Sequence, residues 1–581
     1  MSIFSELNPK QLEAARSSSS SLLITAGAGS GKTKTLTARL LWFLEQGVRA
    51  DSIIAITFTN KAAAELKERS NLVLERNGIT QRPYIGTFHS LSAKFLRSEA
   101  SKLGRTPSFS IYDDSDSEKT IKNIFKTLDI DKNRYPVSSI KNRISRIKNE
   151  LLDPEEIFNG NKELVSIYEN YESSLASQNA FDFDDLIAKL ALLFKNDSET
   201  LSKYTDRFTH FLIDEYQDVN TSQYLLTKLL ASKTKNITVV GDDHQSIYSF
   251  RSADFRNFLN FEKDYPEAKI ITLDQNYRST KTIVGAASAV VSNNKFQRPK
   301  TLWTENETGS PIRISRYYSA ESEADNLVNK IYGKDYGNIT ILYRTNAQSR
   351  PIESSLILNR IPYQIFGGLK FYDRREIKDI VSVLRVTNNP LDEAGIDRIF
   401  KSFGKIKGRK LIERLPEIRL NKPKDVISFI ISESDLILSL QKEKNFEERF
   451  ENIKELVSFS ENFETLDEMI ERISLLETAD SPKGSEENSV RLMTVHTAKG
   501  LEFEEVYLVG VSEGTLPHER SMMSLDDLEE ERRLMYVAMT RAKRKLNISF
   551  FGSPSRFISE IPSEFAQYDN FDFDSDFIYL S

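Results

Sequence analysis

Residues 21–33 read SLLITAGAGSGKT, and no other stretch limits the fold so tightly. An apolar run of strand length enters a turn of small residues, and an amphipathic segment of helical spacing follows. Small residues let successive backbone N–H groups close around phosphate oxygens at a helix N-terminus. Ala26, Gly27, Ala28, Gly29, Ser30 and Gly31 are expected to form that loop. Lys32 would reach the β- and γ-phosphates, and Thr33 would ligate Mg²⁺. The usual first glycine is Ala26 here, at a place that tolerates a small residue.

The same alternation recurs along the chain. SIIAITF (52–58) precedes the alanine-rich NKAAAELKER, and FLIDE (211–215) and ITVVGD (237–242) read as buried strands. Strand–turn–helix repetition predicts an α/β fold with parallel sheets. FLIDE places Asp214 and Glu215 at the carboxyl end of a strand. There Asp214 can hold the Mg²⁺ shell and Glu215 can orient or deprotonate an attacking water. Residues 98–182 turn helical, with Ile140, Ile144, Ile147 and Leu151 forming one stripe. The predicted first α/β domain is therefore 1–97 with 183–268, interrupted by an insertion at 98–182. KIITL (269–273) is expected to open a second α/β domain, 269–385 with 486–562, with its own helical insertion at 386–485. Residues 563–581 form an acidic, aromatic tail without strand or helix periodicity.

Composition narrows the function classes. At about 150 residues per domain, 581 residues suffice for roughly three or four domains. The absence of Cys excludes disulfides, Cys-ligated zinc, iron–sulfur clusters and thiol catalysis. No signal peptide and no run of about 18 apolar residues is visible, so a soluble, cytoplasmic, multidomain protein without membrane contact is expected. The net charge of −6 hides its distribution. Residues 119–148 and 401–424 carry nine Lys or Arg each and a net +7 each, whereas the tail holds five acids and no base. Basic stretches of this kind are usually solvated faces. The tail, with six aromatics, reads as a docking peptide for a protein partner or a segment folding back over the nucleic-acid track.

Beyond these two elements, the chain resembles the UvrD/Rep-type (class A) helicases of superfamily 1. LNPKQLEAA (7–15), ITFTNKAAAELKER (56–69), GTFHSL (86–91), IDEYQD (213–218), GDDHQSIYSFRSA (241–253), QNYRS (275–279), VHTAKGLEF (495–503) and EEERRLMYVAMTRAK (529–543) match family motifs in order. The resemblance implies two RecA-like motor domains and an ATP hydrolase. Gln11 would read the adenine edge, Tyr277 would stack on the base and Glu502 would bond the ribose. Gln245 would sense the γ-phosphate, and Arg278 and Arg541 would be arginine fingers supplied by the second motor unit. Lys34 stands where the family often has Arg, and stacks less well on a base. Phe58, His89, Tyr248, Phe250 and Arg251 would contact single-stranded DNA, with Phe250 in place of a common Trp. In a chain with this resemblance the basic stretches 119–148 and 401–424 are expected to contact duplex. FGKIKGRKL (403–411) matches the family's glycine-rich duplex motif only loosely, because Lys405 and Lys407 flank Ile406. The implied activity is ATP- and Mg²⁺-dependent 3′–5′ translocation on single strands with unwinding at ss/ds junctions. A translocase that mainly strips proteins from DNA is the alternative, and an inactive DNA-binding scaffold a remote third. No additional nuclease domain is expected.

Overall fold

The computed structural model describes residues 3–58, 60–76, 78–131, 134–249, 252–390, 392–443, 445–470, 473 and 488–569. They form two compact units, residues 1–278 with 294–306 and residues 279–293 with 307–581.

The first unit holds β1 (Ser21–Ala26), β2 (Ile53–Ile56), β3 (Tyr84–Gly86), β4 (Ser110–Tyr112), β5 (Ala180–Asp182), β6 (His210–Ile213), β7 (Ile237–Gly241) and β8 (Lys269–Leu273). Six of these make a parallel sheet in the order β3-β2-β6-β7-β1-β8, and β4 and β5 pair separately. Every residue of β1 is buried, because helices cover both faces. The period-two alternation sends Leu23 into one apolar cluster with Phe95, Phe194 and Val239. Leu22 and Ile24 go into the other with Leu36 and Leu40. The insertion has a third core, where the predicted stripe of Ile140, Ile144 and Ile147 on the helix Val137–Glu150 meets Phe125 and Ile167.

KIITL, expected in the second domain, belongs to the first: as β8 it pairs with β1, Leu23 opposite Ile270. An apolar run reads alike whichever sheet it joins, so the pairing partner decides the domain.

The second unit holds β9 (Ile312–Tyr317), β10 (Ile339–Tyr343), β11 (Tyr363–Phe366), β12 (Val490–Thr494), β13 (Phe503–Leu508), β14 (Ala542–Phe551) and β15 (Ala566–Asp569). They form one parallel sheet, β11-β12-β10-β13-β14-β9-β15. The two sheets with helical insertions are the α/β architecture expected. Two boundaries move, however. The insertion's apolar core already recruits Phe371 and the helix Arg375–Asn388, which buries Ile377, Ile380, Val383 and Leu384, so it begins well before residue 386. The start of the tail is β15, hydrogen-bonded to β9, and Phe565 fills the space over Gly285 where a Cβ would come within 2.5 Å of its ring. As an edge strand with one neighbour, β15 needs no alternating apolar face, which explains why AQYD carries no strand signal. Residues 570–581 of the expected tail lie outside the described residues.

Candidate nucleotide and nucleic-acid site

The loop after β1 has the conformation its glycines allow. Gly29 (φ +67°) and Gly31 (φ +80°) are left-handed, and Gly31 caps the helix Lys32–Glu45 without a side-chain bond, leaving its first N–H groups directed outward. Ser30 Oγ donates to the Gly27 carbonyl at 2.8 Å, closing the loop on itself. β6 delivers the carboxylates, since the Asp214 N–H still bonds the Ile56 carbonyl at 2.9 Å. Thr33 Oγ1 donates to Asp214 Oδ2 at 3.3 Å, and Lys32 Nζ lies 3.7 Å from Glu215 Oε1. The four residues paired from sequence thus meet at one point. Burial raises the Asp214 carboxyl above its ordinary range, Glu215 adds to this, and Lys32 opposes it. A hydroxyl and a carboxylate oxygen are the hard donors that Mg²⁺ takes, so this pair fits the ion.

Glu215 itself sits at φ +47°, a strained conformation for a non-glycine residue. Gln217 fixes it. Its Nε2 donates to Glu215 Oε2 at 2.6 Å, while its Oε1 accepts from the Asp242 N–H at 3.0 Å beyond the end of β7. Gln245 Nε2 in turn donates to Asp242 Oδ2 at 2.5 Å. Beneath them lies Lys300, with no exposed side-chain surface, at 2.5 Å from Asp242 and 2.7 Å from Asp243. Burial disfavours charge on Asp242, but Lys300 outweighs it and holds that carboxyl well below the usual range. Sequence reasoning missed Gln217 and Lys300. Gln217 was at least inside IDEYQD, whereas nothing local marks Lys300 in QRPKTL.

The segment Gln275–Arg278 lies over the phosphate loop. Tyr277 N–H donates to the Gly29 carbonyl at 2.9 Å, and Asn276 Nδ2 to the Ala28 carbonyl at 2.7 Å. A Cβ on Gly29 would come within 2.8 Å of Arg278 Cβ. Arg278 therefore belongs to the first unit, not the second as expected, because the segment continues β8. Tyr277 is 47% exposed, and its hydroxyl accepts from Asn8 Nδ2 at 2.6 Å and donates to Gln275 Oε1 at 2.8 Å, which leaves the ring available. Gln11 is buried; Oε1 accepts from the Asn8 N–H and Nε2 donates to the Ser30 carbonyl at 2.8 Å. Its amide braces the phosphate loop. Lys34 pairs with Glu6 at 2.9 Å, tying the helix Lys32–Glu45 to the chain's first turn.

Arg541 and Glu502 belong to the second unit. Arg541 is buried and donates to the carbonyls of Val537 (3.0 Å) and Leu501 (3.1 Å), and Glu502 pairs with Lys543 at 3.1 Å.

Of the expected DNA contacts, Phe58 packs edge-on against Phe88 and is half-buried. His89 stacks on Phe183 with 3.8 Å between ring centres, and burial pushes its imidazole down to about 4. Phe183, 54% exposed, went unnoticed in sequence because FDFDD reads as strand and turn. Tyr248 is half-buried after β7, and Phe250 and Arg251 lie outside the described residues. Among the described residues no helix is long and apolar enough to cross a membrane.

The comparisons agree with this geometry. Residues 7–266 match the UvrD/REP helicase N-terminal domain, and residues 271–436 and 430–553 match the UvrD-like helicase C-terminal domain. The chain is 40% identical over 633 residues to the ATP-dependent DNA helicase PcrA of Staphylococcus epidermidis, spanning 96% of this chain and 86% of that protein. It is 38% identical over 635 residues to PcrA of Staphylococcus aureus, spanning 96% and 87%. With matched domains across nearly its whole length, the chain belongs to the UvrD/Rep family of helicases.

Proposed function

We propose that the protein is an ATP-dependent DNA helicase that translocates 3′ to 5′ on single-stranded DNA and unwinds duplex ahead of it. The observation that carries the reading is the unbroken set of contacts Lys32–Glu215–Gln217–Asp242–Gln245 around the phosphate loop. The loop N–H groups and Lys32 hold the phosphates. Glu215, oriented by Gln217, takes the proton of the attacking water at its carboxylate. Gln245, held by Asp242, is placed to report the γ-phosphate. Thr33 and Asp214 would hold Mg²⁺, which supplies charge neutralisation on the phosphates. Tyr277 offers its ring to the base. Arg278 and Arg541 serve as arginine fingers, contributions on the order of 10³–10⁵ in rate. Phe58, His89, Tyr248, Phe250 and Arg251 form the single-strand track, and the stacked Phe183 extends it. The polarity follows from family resemblance.

A translocase that displaces proteins and unwinds weakly is the second reading. Within 401–424, Lys407, Arg414, Lys422 and Lys424 are ion-paired with acidic side chains, which reduces the charge available to a duplex. One experiment tests both: ATPase, strand displacement on 3′-tailed, 5′-tailed and blunt duplexes, and displacement of a bound protein block. The helicase reading expects unwinding from the 3′ tail and at least a 10³-fold loss of ATPase in Lys32→Ala. Retained DNA-stimulated ATPase in that variant refutes the phosphate-site assignment. Protein displacement without strand displacement selects the second reading.

A further inference from the structure

The helix Val137–Glu150 carries the insertion's exposed Arg143 and Arg146 on one face, yet its last turn is built into the motor fold. Asn149 Oδ1 accepts a hydrogen bond from Asn220 Nδ2 at 2.8 Å, and Asn149 Nδ2 donates to Asp184 Oδ1 at 3.1 Å. Both amide groups are engaged, so the side chain is oriented rather than merely packed. Next to it, Glu150 Oε1 accepts from Ser252 Oγ at 3.1 Å, at a residue with φ +60°. Lys148, on the other side, is buried among Asp182, Asp185 and Glu172 at 2.7–2.8 Å, so this turn moves only together with those residues.

The partners matter. Asn220 stands five residues after Glu215, separated from it by the turn Tyr216–Asp218 that contains Gln217. Its Oδ1 accepts from the Gln223 N–H and from Ser222 Oγ, both at 2.9 Å, capping the helix Thr221–Leu230. It also bridges to Ala253, so the carboxylate loop and the Gln245–Ala253 loop are joined at this point. A single helical turn of the insertion therefore bonds both loops that lead to the phosphate site.

We propose that Asn149 is a positioning residue that couples the first helical insertion to ATP hydrolysis. Contact of nucleic acid with the basic face displaces the helix Val137–Glu150, and the Asn149–Asn220 bond carries that displacement to the turn that aims Glu215. The inference rests on the reading of the chain as a DNA-dependent ATP hydrolase. It makes a specific claim: DNA-free hydrolysis does not use the bond, and DNA-stimulated hydrolysis does.

The test measures ATPase kcat and KM, with and without a 3′-tailed duplex, together with the affinity for that duplex. In Asn149→Ala, DNA-free kcat, KM for ATP and DNA affinity should stay within about twofold, while stimulated kcat falls about five- to tenfold. Asn220→Asp keeps the oxygen that caps the helix and loses the donor to Asn149, so it should lose stimulation similarly. Added to Asn149→Ala, it should cost less than about twofold more. Stimulation unchanged in Asn149→Ala, or an equal loss of DNA-free and stimulated kcat, overturns the inference alone. So does additive loss in the double variant. A wild-type chain whose ATPase DNA does not stimulate overturns the helicase reading, and this inference with it.

Discussion

Residues 119–148 and 401–424 have the same tally, nine basic side chains and a net +7, yet among the described residues the structure buries Lys148 of the first and no basic side chain of the second. In the first stretch, Lys148 is only 3% exposed and bonds Asp182, Asp185 and Glu172 at the seam between insertion and sheet. Lys141 is also largely covered and pairs with Asp114. In the second stretch every one of the nine side chains is on an exposed position, and the helix Lys405–Ile418 starts with Lys405, Ile406 (77% exposed) and Lys407 in the open. The lesson is that a count of charges does not distinguish a fastener from a contact face. A buried cation holds two pieces of backbone together, whereas a solvated one can meet phosphate to the extent that no neighbouring acid already pairs it.

The sharpest way to break the comparison is to remove the fastener. Lys148→Met leaves Asp182 and Asp185 without their cation and Glu172 with Lys189 alone, and should destabilise the first unit by about 3–5 kcal/mol, read as the urea midpoint. A loss similar to that of a surface substitution would place Lys148 in the same class as the second stretch. The converse test is the triple change of Lys405, Arg409 and Lys410 to Ala. Stability should stay within about 0.5 kcal/mol, while the slope of log affinity for duplex against log salt falls by about 3. An unchanged slope would show that this face meets no phosphate.

The smallest effect sharpens the contrast at the seam itself, where FDFDD supplies Phe183 and two of the three carboxylates around Lys148. Burial holds the stacked His89 at about 4, below its unfolded value near 6.5. Its native form is therefore neutral, and the unfolded chain binds the extra proton. The stability it contributes is present above about pH 6.5 and declines as pH falls toward 4. His89→Phe should flatten the pH dependence of unfolding in that window.

Sequence reading did well where chemistry is local. Lys32, Thr33, Asp214 and Glu215 come from two short runs whose strand context is legible, and they meet as expected. It failed where the partner lies far along the chain. Lys300 reaches Asp242 and Asp243 across 58 and 57 residues, and no pattern in QRPKTL announces a buried cation. The contact of Gln11 with the loop was hidden for a similar reason: its amide donates to the Ser30 carbonyl, a bond that depends on how the first helix lies against the loop. β8 and β15 show that strand type can be read from composition while sheet membership cannot, because membership is settled by backbone pairing.

The strand orders also carry a consequence for how the protein is made. The first unit has all its pieces once residue 306 has been synthesised, β8 having closed its sheet edge at residue 273. In the second unit, β9 lies between β14 and β15, neither of which exists until residues 542–569 emerge. At about 5–20 residues per second, the first unit can fold on the ribosome well before the second has a complete sheet. During that interval both edges of β9 await their partners, so the nascent second unit is the stage of synthesis most exposed to mispairing and most dependent on protection.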